Sequence, residues 1–383
     1  LRLSSEGYTD TVDSIYYNAE GVFLIASASS YEVLPDSGTT WRNLPIIWNH
    51  RLQQQIAKIV PEDASGLITA LLTGERSGLT MQQKNDMKRA GIYHTVAVSG
   101  MHVSILLGIV LFLTRRKRML SALIGIPVVL LFILFIGGTP SVTRAGILYI
   151  LFLLAPLLRR EPDPPTSLAA ALLFLLLLNP WSVANIGLQL SFTSVAGILL
   201  FGSRICHWAQ SLRPEKTEAN LGDTCYRFVT ASISTTLGAL VFTVPLSALY
   251  FGTISLIAPL ANLLTLSVVT VCFLLGILAA GFSFICLPLG TLLGALVAWP
   301  VRYIFWMTGL MARVPFAAIY TQSIYIVWWL VFVYGMLLSI LLLGGVRRPL
   351  LPICSGVLTL GVCMLLGIAP FGKASFTFSA LDV

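Results

Sequence analysis

The long apolar stretches of this 383-residue chain contain no aspartate or glutamate, and that absence limits what the chain can fold into and what it can carry. Stretches near the length of about 20 residues that crosses a hydrocarbon core recur between residues 94 and 369. The sixteen acids lie elsewhere: ten precede residue 87, five lie in the segments 161–163 and 215–223, and the last is Asp382. Because 56% of the residues are hydrophobic and only 10% are charged, we predict an integral membrane protein.

Ten apolar segments predict an all-α polytopic membrane protein with about ten transmembrane helices. The predicted spans are 95–113, 119–136, 145–158, 167–178, 184–202, 228–249, 257–281, 287–307, 324–343 and 351–369. The third and fourth are short and end at Pro or Arg, so they suit either simple spans or broken, partly buried helices.

The basic residues predict how these spans are oriented. Twelve of the twenty-four Lys and Arg fall in the loops 115–118, 159–160, 204–227 and 347–348, which share one side if the spans alternate. The positive-inside rule places such loops in the cytoplasm. Both ends of the chain are therefore predicted to be extracytoplasmic.

The region before the first span is predicted to face water. Residues 7–34 alternate in polarity and are rich in β-branched residues and Tyr, which predicts the tail of a small extracytoplasmic β-domain within residues 1–40. Residues 41–93 are predicted to form helices at the outer membrane surface. Apolar residues recur at helical spacing from Trp41 to Val60, which suits an interfacial helix or an ordinary packing helix equally. Thr80 and Gln83 match a capping box, which predicts a further helix that ends at Gly91.

No metal site or cofactor is predicted from the sequence. The six cysteines include no CxxC pair and no histidine at metal-ligand spacing, so we interpret them as small apolar residues in helices. The chain has no GxxxxGK[ST] motif, and any ATP-driven pulling would therefore have to come from a partner. The first residue is Leu1 rather than Met, so we expect a piece of a longer protein.

The polar groups predicted at membrane depth are mostly neutral or hydrogen-bond donors. Besides many Ser and Thr, they are His94, His102, Arg144, Asn185, Gln189, Asn262 and Arg302. Proton relays and cation pathways are normally built on intramembrane Asp or Glu, so this lining disfavours a cation-coupled pump and suits an anionic passenger. The alternative is that the neutral polar side chains only join helices to one another.

Two sequence patterns place polar groups at the start of a span. In "GIYHTVAVSGMHVSILLG" (91–108), Ser99, Gly100 and His102 open a helix whose exposed N–H groups would attract an anion. In "GGTPSVTRAGI" (137–147), Pro140 starts a helix and Arg144 lies one turn later. No acid is near Arg144 along the sequence, so its guanidinium needs water, carbonyl groups or an anionic ligand.

A third pattern, "NPWSVANIGLQLSFTSVAGI" (179–198), places Asn185 and Gln189 four residues apart on one predicted helix face. Ser191 and Ser194 are three residues apart in the same stretch. A separate "GTLLG" pattern (290–294) permits a close helix contact within one chain or between two chains, so the oligomeric state stays open.

Four stretches in fixed order, "LLTGERSGLT", "HTVAVSGMHV", "PSVTRAGI" and "LQLSF", resemble the bacterial competence DNA-uptake channel family (ComEC-type) from about residue 51 to residue 343. In that family a membrane channel passes one strand of incoming DNA into the cytoplasm. An oligonucleotide-binding-like β-domain precedes the channel, and a metallo-β-lactamase-like domain follows it outside. The resemblance implies that residues 1–40 are the remnant of the first domain, 94–371 the transmembrane competence domain, and 372–383 the start of the last.

The resemblance also implies a function. It implies a non-enzymatic channel for single-stranded DNA in the bacterial cytoplasmic membrane during natural transformation, working with an external DNA receptor and a cytoplasmic ATP-driven motor. Together with the spacing argument for Asn185, it indicates residues that line or shape the passage: His94, Ser99, Gly100, His102, Arg144, Asn185, Gln189 and Ser191. For the two histidines, a hydrogen-bonded packing role is an equal alternative.

Two other functions fit part of the pattern. An exporter or flippase of another anionic substrate would tolerate the same carboxylate-free core. An intramembrane hydrolase would use Ser99 as nucleophile and His102 as base, but residues three apart on one helix rarely aim a hydroxyl at an imidazole ring. The spans also supply no acid to orient the histidine.

Overall fold

The computed structural model describes residues 43–159, 161, 163–212, 221–315 and 317–320, and the pairs 328–329, 331–332, 334–335 and 358–359. The predictions for residues 1–40, for the spans 324–343 and 351–369, and for residues 372–383 lie outside the described residues, apart from those pairs. The chain divides into two compact units, residues 1–243 with 255–318 and residues 244–254 with 319–383. The helices and motifs discussed below lie in the first unit, except the last residues of one helix and a strand pairing.

Twelve α-helices and two short strands occur in the described ranges. The helices that precede residue 160 are α1 (Leu44–Ile59), α2 (Glu62–Thr73), α3 (Met81–Arg89), α4 (Gly100–Leu113), α5 (Arg118–Ile136) and α6 (Pro140–Leu154). The later helices are α7 (Pro164–Leu178), α8 (Ile186–Gly197), α9 (Ser203–Ser211), α10 (Leu221–Phe251), α11 (Ala258–Ser283) and α12 (Leu287–Ala312). The strands β1 (Thr253–Ser255) and β2 (Ala318–Tyr320) pair in a two-stranded sheet.

Eight of the predicted spans coincide with helices, which confirms the all-α polytopic membrane fold, although the total of ten is not established. In the described part of the chain, five helical segments are long and apolar enough to cross a membrane: 118–136, 186–211, 222–251, 258–283 and 287–312. The helices α4, α6 and α7 are apolar but shorter. A π-helical turn, Ile198–Gly202, makes α8 and α9 one continuous segment that is longer than the predicted span.

Two helices begin before the predicted apolar spans for local reasons. The helix α6 begins at Pro140, as its sequence pattern predicts and five residues before the span drawn from residue 145, because proline lacks the N–H that a first helical residue would leave unpaired. The helix α10 begins at Leu221 rather than at residue 228, since its first turns carry polar residues such as Asp223 and Arg227. Apolar periodicity locates the membrane-facing part of a helix but not its polar extension.

The capping box predicted for α3 is present. The Gln83 backbone N–H donates to Thr80 Oγ1 at 3.2 Å, and the Thr80 N–H donates to Gln83 Oε1 at 2.9 Å. After α3, Gly91 adopts a left-handed φ of 78°, which ends the helix and starts the turn that leads to α4. Both ends of this helix were therefore predicted from local sequence chemistry.

The largest hydrophobic core joins α1, α2 and α3 to α11 and α12. On α2, Leu67, Ile68 and Leu71 are almost fully buried, and Phe273 of α11 and Ile304 of α12 belong to the same cluster. The helix α1 buries Ile56 and Ile59 there, as the packing interpretation requires. These helices therefore pack as part of the helical unit, while their placement at the outer membrane surface stays a prediction.

A second core joins α4, α5 and α6. It contains Val103 of α4, Val129 of α5, and Val142 and Ala145 of α6. Where α4 ends, the Thr114 and Ser121 hydroxyls form a hydrogen bond of 2.7 Å across the turn that carries Arg115 to Arg118. That bond holds the two helix ends together at the most basic turn among the described residues.

The glycines of "GTLLG" are used for contacts within the chain. Gly294 of α12 approaches the carbonyl of Ile59, where α1 ends, so closely that a Cβ on Gly294 would overlap it. A Cβ on Gly290 would lie 2.6 Å from the Cβ of Ser283, at the end of α11. Close backbone approach of this kind is a common basis of helix association where lipid removes the hydrophobic drive.

We expect Gly294→Ala to lower the thermal stability of the protein in detergent, because the added methyl group has no space between α12 and α1. Overpacking of this kind costs about 1–3 kcal/mol. The control is Gly309→Ala on the same helix, where a Cβ would meet nothing within 4 Å. That change is expected to leave the melting temperature unchanged or to raise it, since Ala favours a helix over Gly. Equal melting temperatures for the two variants would contradict the contact.

Candidate functional site

Three of the four sequence stretches line one cavity of about 550 Å³. Their lining residues are Thr73, Gly74, Glu75, Arg76, Ala97, Val98 and Ser141. Asn185 and Gly187, just before "LQLSF", line it as well. The rest of the wall comes from α1, with Asn49, His50 and Gln53 among its residues, and from the end of α5. Segments that are far apart in sequence are thus brought to one place.

Arg144 lies one helical turn after Ser141 of the cavity wall and is buried without an ionic partner. Its side chain is 6% exposed, and its Nε and Nη1 atoms have no hydrogen-bond partner. The guanidinium carbon lies 5.5 Å from the centre of the Phe192 ring of α8, a cation–π contact. No carboxylate pairs with Arg144 among the described residues. A buried charge without a partner raises the free energy of the folded protein, so binding of an anion or water to this guanidinium would be favourable.

Gly100 brings the second and third stretches into contact. A Cβ on Gly100 would lie 3.4 Å from the Ala145 Cβ and 3.5 Å from Nη2 of Arg144. Gly100 is the first residue of α4, and Ser99 before it is extended. The start of α4 therefore lies beside the guanidinium group of α6, and two of the residues predicted to line the passage, Gly100 and Arg144, do come together.

His102 is fully buried and caps the start of its own helix. The Ser99 backbone N–H donates to His102 Nδ1 at 3.1 Å, so the proton of the neutral ring belongs on Nε2. The imidazole edge meets the Phe273 ring of α11 with the ring centres 4.6 Å apart. Ser99 Oγ lies 3.4 Å from the same Nδ1 atom. This geometry supports the packing alternative for His102.

His94 lies in a short 3₁₀ turn, Tyr93–Thr95, and its side chain is exposed. Its Nδ1 atom is 3.2 Å from the Gly91 carbonyl oxygen and donates to it, which ties the turn together. The structure does not bring His94 to Arg144 or to the cavity wall. A local structural role is what its contacts indicate.

Asn185 and Gln189 have local hydrogen-bond partners at the start of α8, and Ser191 lies further along the same helix. Asn185 is the N-cap of α8, where its Oδ1 accepts from the Leu188 N–H at 2.9 Å. Gln189 Nε2 donates to the Val183 carbonyl at 2.8 Å. Ser191 is half-buried beside Phe192. Of the three, only Asn185 lines the cavity.

Arg302 is not an unpaired donor at depth. Its Nε atom lies 2.6 Å from Asp63 Oδ2, and both side chains are about half exposed (49% and 52%). The hydrogen bond from Arg302 holds the pKa of the Asp63 carboxyl below its ordinary value. The acid comes from α2, a helix outside the predicted spans, so the pairing was not visible in the composition of the spans.

One carboxylate lines the cavity, which the count over the spans did not reveal. Glu75 is exposed, and its Oε1 accepts from the Ser77 backbone N–H at 2.9 Å. That bond keeps the pKa of Glu75 below its ordinary value, so the carboxylate is charged. Arg76, next in sequence, also lines the cavity and lies 5.8 Å from the centre of the Tyr93 ring. The charges at the wall are therefore mixed, whereas Arg144 has no acid beside it among the described residues.

Two residues that the sequence reasoning missed help to form the site. Phe192 lies in the "LQLSF" stretch but carries no polar signal, and its role depends on Arg144 of another helix. Asn49 of α1 donates to the Thr73 carbonyl at 3.2 Å and to the Phe135 carbonyl at 3.0 Å. These bonds connect the ends of α2 and α5 across the cavity wall. The signal available in the sequence was Asn49 itself, a polar residue among the regularly spaced apolar residues of α1.

Comparison with known proteins identifies the family. A family model described as "Competence protein" matches residues 71–347. ComE operon protein 3 of Bacillus subtilis (strain 168) is 26% identical over 313 residues, which cover 80% of this chain and 37% of the relative. The chain thus spans little more than a third of the length of that relative. No solved structure matches this chain. Because the family model covers well over half of its length, the chain belongs to the Competence protein family.

Proposed function

We propose that this chain forms the membrane channel through which one strand of DNA crosses the bacterial cytoplasmic membrane during natural transformation. Membership of the competence family supports a role in DNA uptake, and the helical segments support a multi-pass membrane protein. A channel for a single strand is a more specific proposal than a role in DNA uptake. It rests on Arg144, since a strand of DNA is a polyanion and a buried guanidinium with no acid beside it offers that strand a cation, although Glu75 lines the neighbouring cavity.

The observation that carries this proposal is the buried guanidinium of Arg144, where three of the four stretches meet. Its Nε and Nη1 atoms have no partner, and the neighbouring walls come from α4 and α8. A channel for cations would place a carboxylate here, and none does so among the described residues. An anionic passenger would satisfy the charge transiently, which is what conduction requires.

The proposed orientation follows from the basic loops. We place the turn 115–118 in the cytoplasm, with the cavity and both chain ends on the extracytoplasmic side. The cavity then opens towards an external DNA receptor, and a cytoplasmic ATP-driven motor would draw the strand from the opposite face. The close contacts of Gly290 and Gly294 are made within one chain, with Ser283 and Ile59.

An intramembrane hydrolase has one observation in its favour, the distance of 3.4 Å between Ser99 Oγ and His102 Nδ1. A catalytic base would need that nitrogen free to take the hydroxyl proton. Here it already accepts the Ser99 backbone N–H at 3.1 Å. The geometry therefore favours a helix cap over a nucleophile and its base.

Arg144→Ala is expected to lower the uptake of labelled single-stranded DNA by about 10–100-fold, the range set by losing a charged hydrogen bond of about 1.5–3 kcal/mol. Uptake can be measured as entry of a labelled strand into liposomes that contain the protein and a trapped complementary strand. The control is Arg313→Ala, since Arg313 is exposed and follows the last residue of α12.

Unchanged uptake by Arg144→Ala, with the protein folded and the Arg313→Ala control active, would remove Arg144 from the path. An exporter or flippase of another anion gives a different result: the wild-type protein would not admit the strand at all, while its own substrate would cross.

Ser99→Ala separates the channel from the hydrolase. A channel should retain uptake within a few-fold, because the Ser99 backbone N–H still bonds to His102 after the hydroxyl is lost. A hydrolase that loses its nucleophile loses about 10⁶-fold in turnover. The measurement is DNA entry into the same liposomes, alongside the melting temperature of the variant. Near-complete loss of activity in a variant of normal stability would favour the enzyme.

A further inference from the structure

We propose that the N-terminus of α4 and the guanidinium of Arg144 together form a phosphate-binding site that holds one phosphodiester of the passing strand. The inference rests on the proposed function for the identity of the ligand, but its geometry is independent of it. The start of α4 and the Arg144 guanidinium of α6 approach each other at Gly100, and no carboxylate pairs with Arg144 among the described residues.

The first element of the site is the start of α4. This helix has 14 residues, and its first amides have no carbonyl one turn earlier to bond. His102 N and Val103 N bond to the Ser99 carbonyl, whereas the Gly100 and Met101 amides have no backbone partner among the described residues. The helix dipole adds a partial positive charge of about half an elementary charge at this end. Such an end binds phosphate readily.

The second element is Arg144, which supplies the independent indication of a ligand. The side chain is 94% buried, since its exposed fraction is 6%, and Nε and Nη1 lack partners. Its Nη2 lies 3.5 Å from the position that a Cβ on Gly100 would occupy. Phe192 covers another side of the guanidinium without neutralising it. With Nη2 beside Gly100, the unpartnered Nε or Nη1 atom can complete the pair of donors with which arginine binds a phosphate.

The electrostatics explain why the pair needs a ligand. A guanidinium beside a helix N-terminus places two positive groups together in a poorly solvated site, where their repulsion is weakly screened. A phosphate bound beside both groups would be attracted by the guanidinium and by the helix N-terminus, and it would offset their mutual repulsion. Gly100 leaves the necessary space, because any side chain larger than a methyl group at this position would project into the gap towards Arg144 and Ala145.

The position of the site favours a phosphate of the strand. Val98 and Ser141 line the cavity, and they precede Gly100 and Arg144 by two and three residues. The site therefore adjoins the space through which the strand is proposed to pass. A phospholipid headgroup carries the same phosphate chemistry, so the experiment must separate these two sources.

The test compares variants in binding rather than in transport. Anisotropy of fluorescein-labelled oligothymidylate is measured with the purified protein in detergent over a series of salt concentrations. We expect Arg144→Gln to weaken binding about tenfold, the loss of one charged hydrogen bond, and to reduce the slope of log K against log salt by about 0.7, the value for one phosphate contact on a single strand.

Gly100→Val is expected to weaken binding similarly by filling the gap. Its matched control is Gly108→Val on the same helix, where a Cβ would meet nothing within 4 Å and which should bind as the wild type does. Melting temperatures show whether each variant is folded. If Gly100→Val does not fold, Arg144→Gln decides the outcome alone.

Three results would overturn the site. One is wild-type affinity and salt slope for Arg144→Gln. Another is equal binding of a methylphosphonate oligomer, whose backbone carries no charge, by the wild-type protein. The third is loss of phosphatidylglycerol binding in Arg144→Gln with oligothymidylate binding unchanged, which would assign the site to a lipid headgroup. None of these alters DNA entry by the wild-type protein, whereas failure of that entry would overturn the proposed function itself.

Discussion

A guanidinium buried among apolar helices without a carboxylate is the constraint around which this site is arranged. The Phe192 ring and the start of α4 lie close to the Arg144 guanidinium, and neither cancels its charge. In soluble cores such a charge is normally paired, because an isolated buried ion is far more costly than a paired one. Here the arrangement persists because the helices around it are held by contacts elsewhere. The unmet charge thereby becomes available to a ligand.

Those contacts come chiefly from the helices that precede the first predicted span. Gly294 lets α1 approach α12, and the fully buried side of α2 joins both to α11. From this base, Asn49 bonds to carbonyl groups of Thr73 and Phe135, which fixes α1 against the ends of α2 and α5. The cavity is thus bounded by a rigid, well-packed side and by the shorter helices α4 and α6. A site that depends on spacing between donors benefits from such support.

Local features were predictable from the sequence, and contacts between distant residues were not. The Thr80 capping box, the start of α6 at Pro140 within a few residues, and eight of the spans follow from chemistry within one or two helical turns. The approach of Gly100 to Arg144 depends on how α4 and α6 pack, which no local pattern encodes. The Asp63–Arg302 ion pair could not be predicted for the same reason, since it depends on how α2 and α12 pack and its acid lies outside the spans. Counting acids by segment could not show that Glu75 reaches the cavity wall.

Histidine at position 102 caps α4 without adding a negative charge near the proposed anion site. In a capping box the third helical residue is usually Glu or Gln, whose side chain bonds back to the N-cap amide. His102 does this with Nδ1. A glutamate would make the same bond, but it would add a negative charge in the first turn of α4, close to where Arg144 approaches, and would compete with any phosphate there. A neutral ring satisfies the Ser99 amide and leaves the positive character of the helix start intact. The cap at His102 and the lack of a carboxylate beside Arg144 therefore have the same consequence, a site whose positive charge no neighbouring side chain neutralises among the described residues.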